Sequence, residues 1–307
     1  MADVIAYFNG SFVDPSRLTI AMNDMGFLMG TTVSERVRTF QGNLFRWEAH
    51  LDRLGHSLQI IDLGIPDYRS RLTAAVEKVV EHNHRLLEPG DDLGLCILIT
   101  PGELAAADTN EETEPTVCIY SYPLPFQDWT PWYTNGVQLM VSQVRQVPAN
   151  CWPGDLKCRS RMHYYLADQE VARAQPGARA LLLDQEGYVS EASTANVVIF
   201  RASEGLVAPP RLKTLPGISL AVVREIAEQL SMNWVERDLT VDDVAGADEV
   251  MLCSTSPCIW AVTEFNSQPV SDGKPGITWR TLLDRWSDMV GLSIRQQAEQ
   301  FAQRSSG

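Results

Sequence analysis

Residues 154–167 read G-D-L-K-C-R-S-R-M-H-Y-Y-L-A, and the setting of Lys157 in this run organises the reading of the whole chain. Pro153-Gly154 marks a turn and a helix is expected just beyond it, near 160–174, so Lys157 stands at the edge of a rigid element. The lysines are Lys78, Lys157, Lys213 and Lys274, and Lys157 is followed closely by two further cations, Arg159 and Arg161. Desolvation and neighbouring positive charge both favour the neutral amine, which is the nucleophilic form. The plainer alternative is a solvated surface lysine, the common fate of the residue type.

Working outward, Glu191 lies in G-Y-V-S-E-A-S-T-A-N-V-V-I-F, after a turn at Glu186-Gly187 and before an apolar strand. A carboxylate entering a buried strand needs a partner, because an unpaired buried charge is costly. That partner is either a neighbouring backbone or arginine group, or a protonated ring nitrogen. In T-L-P-G-I-S-L-A-V-V-R-E-I-A, Pro216, Gly217 and Ser219 open a helix whose first N–H groups and dipole suit an anion, although an ordinary helix capped by Ser219 explains the same residues. Ser254-Thr255-Ser256 follows the strand E-V-M-L-C and offers further small donors, and Arg53 in H-L-D-R-L offers a countercharge.

The chain has 307 residues, 45% hydrophobic and 21% charged, enough for a full core and for two domains rather than one. Its net charge of −14 argues against a nucleic-acid partner, which would need clustered Lys and Arg. The six cysteines form no C-x-x-C pair and the histidines show no metal-ligand spacing, so no metal site is expected. The start, MADVIAYFNGSFV, lacks a basic, then long apolar, pattern, and no window approaches the ~18 apolar residues of a membrane span; a cytoplasmic location is the expectation, with no membrane partner.

Asn9-Gly10 and Gln41-Gly42 predict tight hairpins within 4–13 and 33–45. Leu51, Leu54, Leu58 and Ile61, then Leu72, Val76, Val79 and Val80, recur at helical spacing. Strands are predicted over 93–100 and 116–122, around an acidic loop from Glu103 to Glu114 that reads as a solvated face or, as the second reading, a mobile loop near a pocket. Pro123-Leu124-Pro125 then suggests a boundary. The second half mixes strands at 136–146, 179–184, 195–200 and 248–253 with helices near 160–174, 218–231 and 278–302. The fold class is therefore α+β (α/β): a small N-terminal α/β domain over 1–122, a linker over 123–132 and a larger C-terminal domain over 133–307.

In chain order, F-N-G-S-F-V, N-D-M-G-F-L-M-G-T-T-V-S-E-R-V-R-T-F, H-L-D-R-L-G-H-S-L and the Lys157, Glu191, Pro216-Gly217 and Ser254-Thr255 segments resemble the fold-type IV enzymes that use pyridoxal 5′-phosphate (PLP). These are the branched-chain aminotransferases, D-amino acid aminotransferases and 4-amino-4-deoxychorismate lyases. The resemblance spans roughly residues 6 to 265. It implies a PLP-binding C-terminal domain built as a pseudo-barrel, and a homodimer. Position by position, Lys157 matches the lysine that carries the cofactor, Glu191 the acid facing its ring nitrogen, and Arg53, Gly217, Ile218, Ser219, Ser254 and Thr255 the phosphate-binding positions. The implied reaction moves an amino group between a small amino acid and a 2-keto acid.

The chain also departs from these relatives. Met29 and Ser34 stand where branched-chain enzymes have aromatic residues, Met162 replaces a tyrosine, and Pro101 replaces the arginine of the D-amino acid enzymes. Arg38, Arg159 and Arg161 are the remaining candidates to hold a substrate carboxylate, with Arg38 preferred. The run Ser160-Arg161-Met162 resembles the N-R-L of lyase-like members, so elimination of pyruvate is the alternative reaction. A protein that kept the fold as a binding scaffold is a third reading, against which the presence of both Lys157 and Glu191 argues.

Overall fold

The computed structural model describes residues 3–104 and 114–303. Its contacts divide the chain into two compact units, Met1–Leu124 with Leu156–Ser160, and Pro125–Asp155 with Arg161–Gly307.

The first unit begins with the hairpin β1 (Ala6–Phe8) and β2 (Ser11–Val13), followed by α1 (Met25–Leu28). The long strand β3 (Val33–Phe40) turns into β4 (Asn43–Leu44), and two helices follow, α2 (Trp47–Ile60) and α3 (Tyr68–His84). Strands β5 (Leu93–Thr100) and β6 (Thr116–Pro123) complete a sheet of order β2-β1-β6-β5-β3-β4. Both hairpin turns form where the dipeptides predict them, with positive φ at Asn9, Gly10, Gln41 and Gly42. Gln41 tolerates this because buried Asp92 accepts its N–H at 3.0 Å, the Gly42 N–H at 3.0 Å and the Thr39 hydroxyl at 2.6 Å.

Side chains alternate across a strand, so β3 sends Val33, Glu35 and Val37 to one face and Ser34, Arg36 and Arg38 to the other. Leu51, Leu54 and Leu58 of α2 and Leu72, Val76 and Val79 of α3 pack with Val33, Val37, Leu95 and Ile97 into one core. Each such burial is worth ~1.5–3 kcal/mol, and Leu54→Ala at this fully buried position would cost ~2–5 kcal/mol.

The second unit opens with α4 (Phe126–Asn135), which lies in the stretch expected to be a linker. The Phe126, Trp129 and Tyr133 side chains are buried and override Pro131 inside the helix. Then come β7 (Val137–Val141), α5 (Met162–Ala174), β8 (Arg179–Leu183), β9 (Val189–Ala192), β10 (Asn196–Arg201) and β11 (Gly205–Ala208). After α6 (Ile218–Gln229) and β12 (Trp234–Glu236) the chain forms α7 (Val241–Ala245), β13 (Glu249–Ser254), β14 (Cys258–Phe265) and β15 (Gln268–Pro269). It ends with α8 (Ile277–Val290) and α9 (Ile294–Phe301). The single helix expected over 278–302 is broken, because Gly291 takes φ 70° and Ser293 caps a new start.

The sheet order is β12-β11-β10-β13-β14-β7-β8-β9, with β15 on β14. β9 ends this row, yet only three residues join it to β10, five positions away, and Ala192 exchanges backbone hydrogen bonds with Ala195. The sheet must therefore curl until its end meets β10, which makes the pseudo-barrel. Leu181, Leu183, Val197, Ile199, Leu252 and Trp260 fill its interior core. Most of the acidic loop 103–114 lies outside the described residues. Among the described residues no helix is long and apolar enough to cross a membrane, no group of acidic, His and Cys side chains is arranged for a metal, and all six cysteines are unbridged.

Candidate active site

In the first unit, Leu156–Ser160 adds an extended segment to the open edge of β3. Val33 and Cys158 pair antiparallel, the Ser34 N–H donates to the Lys157 carbonyl at 3.0 Å, and the Arg159 N–H donates to the Thr32 carbonyl at 2.8 Å. The Lys157 N–H donates to Ser57 Oγ on α2 at 3.1 Å. Lys157 is thus fixed by backbone bonds before and after it, and it is half-buried. A fixed backbone limits how far its amine can wander, as a lysine used in chemistry requires.

Beneath β3 lies a buried charged cluster. Arg53 on α2 donates from Nε to Glu35 Oε1 at 2.7 Å and from an Nη to Glu35 Oε2 at 2.9 Å, and His50 Nδ1 meets the same Oε2 at 2.8 Å. Burial alone would raise the Glu35 pKa, but the Arg53 guanidinium and His50 outweigh it and hold the carboxyl far below its usual range. Burial is also the largest effect on His50 and lowers its pKa, favouring the neutral ring. The pair sets the plane of the Arg53 guanidinium, which makes Glu35 and His50 positioning residues for the expected phosphate-binding arginine. Neither was singled out in the sequence, although an acid between Val33 and Val37 of an apolar strand was the available signal.

In the second unit, Glu191 sits in β9 and is buried. Its Oε1 accepts from Gln146 Nε2 at 2.6 Å and from the Tyr164 hydroxyl at 2.5 Å, whereas the donor reaching Oε2, the Leu215 N–H, is 3.4 Å away. These hydrogen-bond donors are all neutral. Burial raises the Glu191 pKa, and the bonds from Tyr164, Leu215 and Gln146 together with the nearby Arg161 charge only partly offset it. Burial and the Glu191 charge together push the Tyr164 hydroxyl well above its ordinary value. The arrangement leaves Oε2 the less satisfied oxygen of a desolvated carboxylate, able to accept from a cationic N–H.

Nearby, three segments converge on Asn196. Its backbone pairs with Cys253, next to Ser254 and Thr255, and its Nδ2 donates to the Leu215 carbonyl at 2.9 Å. A Cβ on Gly217 would lie 1.9 Å from Asn196 Oδ1, so only glycine fits at the start of α6. Gly217, and not Ser219, is the helix cap, and no side chain satisfies the first N–H groups; Ser219 is buried inside the first turn. The Tyr133 hydroxyl donates to the Pro257 carbonyl at 2.7 Å and steadies the turn that carries Thr255. The structure therefore gathers Gly217, Ile218, Ser219, Ser254 and Thr255, with Asn196 as the residue the sequence reading missed.

Other expectations fare differently. Arg38 is wholly buried; its guanidinium lies 4.0 Å from the centroid of the Phe40 ring and its Nε donates to the Thr39 carbonyl at 3.2 Å, which removes it from the groups a substrate carboxylate can reach here. Met29, at the C-terminal end of α1, is 66% exposed, and Ser34 is buried with its N–H on Lys157. Arg161 caps α5 and lies 5.6 Å from the centroid of the Tyr164 ring, beside the Glu191 cluster.

Residues 32–265, well over half of the chain, match the family Amino-transferase class IV, and the chain belongs to that family. It is an aminotransferase acting on amino acids, and its cofactor is PLP. It is similar to D-alanine aminotransferase of Staphylococcus aureus (strain MSSA476), 27% identical over 292 residues that cover 92% of this chain and 97% of the relative. A putative branched-chain-amino-acid aminotransferase of Methanocaldococcus jannaschii is 26% identical, covering 92% and 95%. Among solved structures, the branched-chain amino acid aminotransferase of Escherichia coli superposes with a TM-score of 0.84 at 23% identity, covering 95% of this chain and 95% of that one, a likeness of fold.

Proposed function

We propose that Lys157 carries PLP in this aminotransferase, that Glu191 faces the ring nitrogen, and that Arg53, the backbone of Gly217, Ile218 and Ser219, and the Ser254 and Thr255 hydroxyls hold the phosphate. The cofactor, when bound, supplies the electron sink for breaking a bond at the substrate's α-carbon. The observation that carries this reading is the buried Glu191 carboxylate with neutral donors on Oε1 and a 3.4 Å contact on Oε2. Such a group costs free energy unless a cation meets it. Glu191 would keep a ring nitrogen protonated, and the uncapped α6 offers its first N–H groups to a dianion, while the glycine at 217 makes room for the Asn196 side chain that ties β10 to Leu215. Lys157 Nζ, once the substrate amine has displaced it, would take the proton from the substrate α-carbon as general base and deliver it to the cofactor carbon as general acid.

The substrates are a small amino acid and a 2-keto acid, and the names of the relatives make D-alanine and the branched-chain amino acids the first donors to test. We infer a homodimer in a cytoplasmic setting. Met22, Phe27, Leu28, Met29 and Leu104 are exposed apolar side chains of the first unit, and such patches mark protein contacts. Light scattering that gives twice the chain mass supports this, and a monomer overturns it.

Lys157→Ala should bind PLP without the visible band of the lysine-bound cofactor, and single donors should no longer bleach it. A Lys157→Ala enzyme that keeps both would refute the assignment.

A further inference from the structure

Arg36 and Arg159 share a setting that no step above uses. Antiparallel pairing places Arg36, Cys96 and Tyr120 in one row across β3, β5 and β6. The pairing of Val33 with Cys158 puts Lys157 opposite Ser34 and Arg159 opposite Thr32. Because side chains alternate, Lys157 and Arg159 take the same face as Ser34 and Arg36, away from the helix-covered face of Val33. Each of these steps along a strand is about 7 Å.

Three observations point to an anion. Among the described residues neither Arg36 nor Arg159 pairs with a carboxylate, in a chain with 39 acidic and 25 basic side chains. Arg36 is instead spread over the Tyr122 ring, 5.2 Å from its centroid, and is exposed. Tyr120 shares the cross-strand row of Arg36, and burial raises its hydroxyl pKa to about 12 against the pull of both arginine charges, so the phenol keeps its proton and can donate. Two guanidinium groups and a hydroxyl make a donor set for one planar carboxylate.

We propose that Arg36 and Arg159, with the Tyr120 hydroxyl, bind a carboxylate of the substrate and make this enzyme select acids over uncharged amines. The inference rests on Lys157 being the reacting lysine. Arg36 and Arg38 are neighbours on the same face of β3, and Arg36 is the solvent-accessible one of the two.

The test is calorimetric binding of unreactive ligands to the PLP-loaded enzyme: isovalerate, succinate and the neutral isovaleramide. Arg36→Gln and Arg159→Gln should each weaken acid binding about tenfold, the scale of one charge-assisted bond, and leave isovaleramide unchanged. Arg36→Lys and Arg159→Lys, which keep the charge, should recover part of the loss and report on folding. A loss for both acids assigns the α-carboxylate; a loss confined to succinate assigns a second carboxylate. Acids that fail to bind the wild type, or that bind both glutamine variants as tightly, overturn the proposal. A wild type whose visible band no amino acid bleaches would instead refute the role of Lys157, a separate outcome.

Discussion

Gly217→Ala adds one carbon to the start of α6, and the structure gives it no room. The backbone at 217, φ −67° and ψ 128°, suits alanine, so conformational strain is not the issue. The new Cβ would stand 1.9 Å from Asn196 Oδ1, and Asn196 is pinned, being buried, paired to β13 and bonded to Leu215. Moving its amide strands a buried polar group, and keeping it forces the helix away; together these cost about 2–5 kcal/mol. The midpoint of thermal unfolding of the cofactor-free protein, followed by circular dichroism, should fall by roughly 4–10 °C. PLP affinity, titrated by absorbance, should weaken about tenfold as the N–H groups of Gly217 and Ile218 shift. In an Asn196→Ala background the same substitution should cost much less, because its collision partner is gone. Wild-type melting and wild-type PLP affinity in Gly217→Ala, or strictly additive effects in the double variant, would refute the reasoning.

Glu191→Gln should stabilise the cofactor-free protein near neutral pH while slowing amine exchange. Burial raises the Glu191 pKa, so its contribution to stability is present below the unfolded value near 4.5 and is lost as pH rises through the folded value; thermal melts against pH check this. Glu35→Gln removes the partner of a buried guanidinium and should cost about 3–5 kcal/mol, together with phosphate affinity, measurable as PLP and inorganic phosphate binding. The lowered Glu35 pKa has the opposite sign: its stabilisation is present above pH 4.5 and is lost as pH falls through the folded value, so wild type should show an acid-induced loss that Glu35→Gln lacks.

Local signals carried much of the fold. The hairpins at Asn9-Gly10 and Gln41-Gly42 and the periodicity of α2 and α3 are visible because backbone preference and burial agree there. Where they conflict, the sequence misleads: Pro123-Leu124-Pro125 suggests the start of a linker, while buried aromatic side chains make α4 just beyond it. Among the candidate residues, Lys157 and Glu191 stand out by residue type and setting. The residues that orient them do not, since Gln146 and Tyr164 reach Glu191 from 45 and 27 positions away and Ser57 reaches Lys157 from 100. Arg38 drew notice as a charge on a strand, and only tertiary packing reveals the Phe40 ring beneath it.

The five residues Leu156–Ser160 bear on how this molecule can be cut and recombined. The chain passes between the two units at 124/125, 155/156 and 160/161, so neither unit is a single stretch of gene. A fragment ending at Leu124 would leave the Ser34 N–H and the Thr32 carbonyl without their partners and would present a bare strand edge, an invitation to pair with another molecule. A chimera with a relative spliced once near 124 would seat one parent's lysine-bearing peptide on the other parent's β3. Exchanging the first unit intact therefore means moving two separated pieces of sequence, the smaller of them only a pentapeptide.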